Sequence, residues 1–134
     1  MEGKNCRPFN NDIKLHLEKA NSYFYPDVSV VCGKVEYSES EPEAVTNPTV
    51  IVEVLSNSTA AFDRGKKFMM YRKIPSLQEY VLVDQYECLI DIYQRRGDLW
   101  KIKTITAKTQ HLKFESLGVA IALKDIYQNV RFPD

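Results

Sequence analysis

Glu53 stands inside Thr49-Val50-Ile51-Val52-Glu53-Val54-Leu55, a run that is otherwise almost wholly aliphatic. Such a run fits a central strand covered on both faces. A carboxylate buried there costs several kcal/mol unless a cation or strong donors compensate it. In a regular strand Ile51, Glu53 and Leu55 share one face, so the compensation must come from another element. The next segment offers it, because Ala60, Asp63, Lys67, Met70, Tyr71 and Ile74 recur at three- and four-residue steps. Its apolar members turn that stripe toward the sheet and carry Lys67 with them, whereas Lys66, Arg72 and Lys73 project elsewhere as solvated charges. The pair by itself fits an ion pair that fixes helix on sheet better than it fits catalysis, since structural networks also perturb ionisation.

Asp27 adds a third group. It follows Pro26 and precedes Val28, Val30, Val31 and Cys32, a pattern that leads into the core. Taken alone, a turn or bulge carboxylate after Pro26 is an equal alternative. Two carboxylates brought together from different strands repel unless a divalent cation lies between them, and Mg²⁺ accepts one or two carboxylates together with water and phosphate oxygens. A lysine beside that cation would complete a phosphodiesterase: the metal activates water and neutralises developing charge, and Lys67 orients the nucleophile or steadies the negative charge.

The elements that must position these residues follow from periodicity. Residues 12–18 alternate with a period of two, the tetrad 19–22 supplies turn chemistry, and Tyr23 to Cys32 returns as a β-branched and aromatic strand, which predicts a hairpin. Pro26 sets that second strand near an edge or marks a bulge. From Gly33 to Pro48 the chain is acidic and poor in apolar residues, so a surface loop is expected. Ser56-Asn57-Ser58-Thr59 offers several N-caps for a helix running to about Ile74, where Pro75 ends it. Glu79 to Asp84, Cys88 to Arg95 and Trp100 to Thr106 predict an antiparallel meander with a turn at Arg96-Gly97-Asp98. A short strand from His111 and a helix over Leu123 to Val130 close the chain. No internal repeat or linker divides it, so residues 1–134 are expected to form one domain of mixed α+β architecture.

Bulk properties narrow the function classes. Of the 134 residues 44% are hydrophobic and 27% charged, which suits one core of useful size. No stretch reaches the ~18 consecutive apolar residues of a membrane span and the start lacks a signal-like apolar run, so a cytoplasmic protein without a membrane partner is expected. Cys6, Cys32 and Cys88 are odd in number, widely spaced and without a CxxC pair, so reduced, buried thiols are expected rather than a disulfide framework or zinc site. Eighteen basic residues balance eighteen acidic ones, so local field rather than net charge would have to attract a polyanion. His16 and His111, distant and without a nearby nucleophile, are read as exposed strand residues. Asp84 suits a turn better than the site. Trp100, Tyr80 and Tyr93 could stack on bases but fit core or cross-strand pairs better. The isolated glycines make no phosphate-cradling loop.

Tyr25-Pro26-Asp27-Val28-Ser29-Val30, Asn47-Pro48-Thr49 through Val52-Glu53-Val54-Leu55-Ser56, Asp63-Arg64-Gly65 with Lys67-Phe68, and Tyr71-Arg72 through Ile74-Pro75-Ser76-Leu77 with Glu79-Tyr80 together resemble the Uma2 family of restriction-endonuclease-like proteins, within the PD-(D/E)XK nuclease superfamily. The resemblance covers nearly the whole chain. It implies a restriction-endonuclease-like mixed sheet with a helix packed after the Glu53 strand. It maps the superfamily's aspartate onto Asp27 and its acidic partner onto Glu53, while Leu55 stands where the usual lysine would be and Lys67 takes that lysine's place. Members of that family usually begin with a further stretch that includes a helix, so the chain is expected to be short at its N-terminus, which puts its activity in question.

The expectation is therefore a Mg²⁺-dependent (or Mn²⁺-dependent) endonuclease that hydrolyses DNA, with Asp27, Glu53 and Lys67 as catalytic residues and Asp27 and Glu53 as metal ligands. A homodimer would suit the cutting of two strands. The rival expectations are a catalytically inactive nucleic-acid-binding module of the same fold, and a truncated structural or interaction remnant.

Overall fold

The computed structural model describes residues 5–19, 21–56 and 60–127. Period-two segments build ten strands: β1 (Cys6–Phe9), β2 (Leu15–Leu17), β3 (Ser22–Phe24), β4 (Val28–Cys32), β5 (Val50–Leu55), β6 (Glu79–Asp84), β7 (Ile90–Arg96), β8 (Leu99–Ile105), β9 (His111–Phe114) and β10 (Val119–Ala122). Three short helices join them: α1 (Ala60–Arg64), α2 (Lys66–Tyr71) and α3 (Leu123–Ile126). Six strands form one mixed sheet in the order β1-β4-β5-β6-β7-β8, while β2–β3 and β9–β10 are separate antiparallel hairpins. Only β5 and β6 run parallel among the paired strands of that sheet, and the α1–α2 crossover links them.

The aliphatic composition of β5 matches its place. On one face Ile51 and Leu55 pack with Leu82, Tyr80 and Tyr93 beneath Phe68, Tyr71 and Ile74 of the helical segment and Leu15 and Leu17 of β2. On the other face Val50, Val81, Ile90 and Ile92 meet Leu112, Phe114, Leu117 and Leu123 from the β9–β10 hairpin and its following turn of helix. The second face is locked by Glu79. Its buried carboxylate accepts the backbone N–H groups of Glu115 (3.1 Å) and Ser116 (2.9 Å), the Ser116 hydroxyl and the Gln94 amide (3.1 Å).

Several sequence expectations change. Strand β1 was not anticipated, and β4 is therefore interior, between β1 and β5, rather than an edge. The expected long strand from Tyr23 to Cys32 is two strands separated at Tyr25–Asp27: β3 pairs with β2, and β4 joins the main sheet. The β1–β4 register sets Cys6 opposite Cys32, and their sulfurs form a disulfide where reduced thiols were expected; Cys88 alone is free. The 33–48 segment is more than a surface loop, because Ala44 and Val45 are buried and Val45 bridges to both Leu15 and Tyr37. His16, expected to be exposed, is buried: its ring stacks on Tyr23 at 4.5 Å, and Nδ1 and Nε2 meet Ser38 Oγ (2.7 Å) and Asn21 Oδ1 (3.2 Å).

The expected single helix breaks at Gly65 (φ −102°, ψ −92°), a residue that pays the largest backbone entropy in a helix after proline's steric cost. A Cβ there would lie 3.2 Å from the Ala61 carbonyl oxygen. Of the four proposed N-cap residues, Asn57, Ser58 and Thr59 lie outside the described residues, and the Ser56 carbonyl accepts the Ala60 N–H at 3.0 Å. Past α2, the guanidinium of Arg95 donates to the carbonyls of Arg72, Ile74 and Leu77 (3.2, 2.9 and 2.7 Å) and lies over the Trp100 ring. It thus satisfies the orphan acceptors of the helix end. Trp100, Tyr80 and Tyr93 join Phe68 in one aromatic cluster with ring centroids 4.5–5.7 Å apart. At the C-terminal end α3 covers Leu123–Ile126, and residues 128–130 of the expected helix lie outside the described residues.

Leu82 is fully buried on the helix-facing side, in register between Glu53 of β5 and Asp91 of β7. Leu82→Ala is expected to lower stability by about 2–5 kcal/mol, measured by urea denaturation with the slope unchanged.

Candidate active site

The antiparallel register of β4 and β5 pairs Val28 with Val52. One step further along it sets Asp27 opposite Glu53, and directly opposed residues of an antiparallel pair share a face. The two residues clasp each other there. The Asp27 N–H donates to Glu53 Oε1 at 3.0 Å, and the Val54 N–H donates to Asp27 Oδ2 at 2.7 Å. Side chains thus replace backbone partners at the point where β4 has not yet begun.

Glu53 is only 3% exposed. Lys67 reaches it from α2 and forms an ion pair with Oε2, and the Tyr71 hydroxyl donates to the same oxygen at 3.4 Å. The lysine side chain is 15% exposed, and its ammonium lies 5.5 Å from the Phe24 ring centroid and 5.8 Å from that of Tyr71, within range of cation–π attraction. Asp27 is half-buried and forms the more open side of the cluster. Asp27, Glu53 and Lys67 therefore meet, from three separate elements.

A fourth charged group belongs to the cluster and was not assigned to it from the sequence. Asp63 is 4% exposed, and its Oδ1 lies 3.5 Å from Lys67 Nζ. The signal was its four-residue spacing from Lys67 on the inward stripe. Tyr80 ties this turn of α1 to the sheet by donating its hydroxyl to the Asp63 carbonyl at 2.9 Å. Leu55 is buried in the core on the Glu53 face, so an aliphatic side chain fills the position after which the superfamily's motif is named. Further along the same row, Asp91 is held by Arg64 (3.0 Å) and the Thr104 hydroxyl (2.7 Å), away from Glu53. Asp84 Oδ1 accepts the N–H groups of Tyr86 and Glu87, the turn role expected of it.

Burial pushes the Glu53 carboxyl above its ordinary range, against the opposing pull of the Lys67 ammonium. Burial beside these carboxylates also raises the Tyr71 and Tyr80 phenols, which stay neutral donors. As to a metal, the donor set is hard oxygen. Among the described residues Asp27 Oδ1 takes no hydrogen bond, and no group of three or more His, Cys, Asp or Glu side chains is arranged around one point. Two adjacent carboxylates, one of them half-buried, fit a cation such as Mg²⁺, which keeps several waters and takes one or two protein carboxylates.

The sequence profile of Uma2, described as "Putative restriction endonuclease", matches residues 1–124. The chain belongs to the Uma2 family. Two similar proteins come from Synechocystis sp. (strain ATCC 27184 / PCC 6803 / Kazusa), both called uncharacterized. Protein sll1609 is 39% identical over 112 residues, which are 83% of this chain and 63% of the relative. Protein slr1290 is 36% identical over 133 residues, which are 98% of this chain and 68% of the relative. The chain thus spans just under two thirds of the length of the first and slightly more of the second. Among solved structures, the chain is similar to "a putative nuclease belonging to DUF820" from Anabaena variabilis ATCC 29413, with a TM-score of 0.72 over 91% of this chain and 68% of that one. At 16% identity that likeness shows the fold, a mixed sheet with few helices. Among the described residues of this Uma2 protein no helix is long and apolar enough to cross a membrane.

Removing Lys67 leaves a buried carboxylate without its cation, a loss of about 3–5 kcal/mol where the acid stays charged. Without the ammonium the Glu53 pKa rises further. A carboxyl whose folded pKa exceeds its unfolded value adds stability that is fully present below the unfolded value and lost as pH rises through the folded one. Lys67→Met is therefore expected to be more destabilised at about pH 8 than at about pH 5. Urea denaturation at both pH values checks this, and Glu53→Gln combined with Lys67→Met should remove the difference.

Proposed function

We propose that this Uma2 protein is a divalent-metal-dependent endonuclease that hydrolyses DNA phosphodiester bonds, its residues 1–134 acting as one catalytic domain. The observation that carries the reading is the convergence on Glu53 of Asp27, from the residue before β4, and Lys67, from α2. A purely structural ion pair would not need a second, half-buried carboxylate beside it.

In this reading Asp27 and Glu53 hold the cation, Mg²⁺ or Mn²⁺. When bound, the cation supplies a Lewis acid that activates water and neutralises charge on the phosphate. The backbone amides of Asp27 and Val54 hold the Glu53 and Asp27 carboxylates in place, so little reorganisation is needed at the moment of reaction. Lys67 brings a fixed positive charge to the reacting phosphate and orients the attacking water. The rings of Phe24 and Tyr71 exclude bulk water around that ammonium and so strengthen its field. DNA is the substrate that the family's description suggests, a cytoplasmic setting is the corresponding expectation, and a homodimer would bring two such sites to the two strands.

Glu53→Gln and Lys67→Met should each lower Mg²⁺-dependent cleavage of duplex DNA by about 10²–10³-fold, the range for loss of one electrostatic contact to a transition state. Thermal unfolding should show both variants folded. Retained turnover in both would reject the mechanism, and salt-sensitive DNA binding without any turnover in the unaltered protein would favour a silent binding module.

A further inference from the structure

Two buried carboxylates share a single ammonium. Glu53 is 3% exposed and Asp63 4%, and Lys67 Nζ forms an ion pair with the first while lying 3.5 Å from the second. Asp27 lies beside Glu53, its N–H donating to Oε1, so the cluster brings three acidic side chains near a single basic one. Carboxylates in excess over ammonium groups suit a hard divalent cation. A cation at Oε2 would compete with Lys67, because Oε2 is the oxygen that Lys67 and Tyr71 both use, and two cations so close repel.

The geometry points to Asp63 as a positioning residue that receives the Lys67 ammonium when a divalent cation occupies Asp27 and Glu53. This rests on the metal-dependent reading above and adds to it a role for a residue outside the Asp27–Glu53–Lys67 set. As the side chains stand, Lys67 compensates Glu53. With a cation on Asp27 and Glu53, a small swing of a flexible four-carbon side chain would carry Nζ from Glu53 Oε2 to Asp63 Oδ1. The ammonium then remains paired, stays within reach of the site and is never driven into bulk solvent. The hand-over is short, since Lys67 Nζ already lies 3.5 Å from Asp63 Oδ1. The backbone of the receiving residue is pinned as well, because Tyr80, rooted in β6, donates to the Asp63 carbonyl at 2.9 Å. The two phenols play different parts: Tyr71 supports the carboxylate that gives up the lysine, and Tyr80 supports the one that takes it.

The test is Mn²⁺ binding to the whole protein without nucleic acid, by isothermal titration and by electron paramagnetic resonance, at about pH 8, well above the ordinary carboxyl range. Asp63→Asn should weaken Mn²⁺ binding by about tenfold or more, the scale on which residues of one charged network couple. In a Lys67→Met background, where there is no ammonium to receive, the same substitution should cost about threefold or less, the residue of its through-space charge. Asp63→Glu, which keeps a carboxylate, should recover most of the loss. Asp63→Ser provides a second removal of the carboxylate should the amide perturb folding, and thermal unfolding checks each chain. Equal losses from Asp63→Asn with and without Lys67, or no loss in either, would overturn the hand-over while Mn²⁺ binding abolished by Glu53→Gln would leave the nuclease reading standing. Absence of Mn²⁺ binding in the unaltered protein, or binding indifferent to Glu53→Gln, would overturn both.

Discussion

A carboxylate in the interior of a sheet must be matched, and around Glu53 much of the molecule is organised by that requirement. The residue lies on β5, with paired strands on both sides and the helical segment over its face, and at 3% exposure it is almost cut off from water. Its charge is answered by a lysine that only a helix crossing above the strand could supply. The parallel pairing of β5 with β6 forces such a crossover, because the chain must return to the same end of the sheet before β6 begins. One electrostatic demand and one topological rule thus put α2 where it is.

The two buried glutamates of the sheet show how differently the same side chain can be used. Glu79, at the start of the next strand and on the opposite face, is surrounded by neutral donors: two backbone amides, a hydroxyl and a side-chain amide. All of these come from elements it holds together, and they join the β9–β10 turn to β6 and β7. Glu53 is matched instead by the Lys67 ammonium, the Tyr71 hydroxyl and one backbone amide of a residue that carries a second carboxylate. The first arrangement is saturated and suits a lock. The second sets two acidic side chains and an ammonium side by side, a combination found at functional sites.

The lysine of the cluster comes from a helix and not from the strand that carries the acid. Where a lysine two residues beyond the acid would share its strand face, this chain has Leu55, sealed in the core. A helix-borne lysine reaches the same carboxylate from above. It has the freedom of a longer approach, and it brings with it a turn of helix carrying Asp63, which a strand-borne lysine would lack.

Much of the site's membership could be derived from periodicity alone. The aliphatic run around Glu53 identified a buried acid, and the three- and four-residue steps from Ala60 to Ile74 identified Lys67 as facing inward, because both patterns are properties of consecutive residues. The strands of the β6–β8 meander followed for the same reason. What the chain could not disclose locally was register. That Asp27 opposes Glu53, that Cys6 opposes Cys32, that β4 is interior and that Val45 and Ser38 bury beside Leu15 and His16 all depend on how segments far apart in the chain slide against each other. Asp63 is the intermediate case: its face was legible, but its meaning depended on where the lysine amine comes to rest between two acids. Side-chain periodicity is set by backbone geometry within one element, whereas pairing between elements is decided by the packing of the whole core, and only the folded molecule contains it.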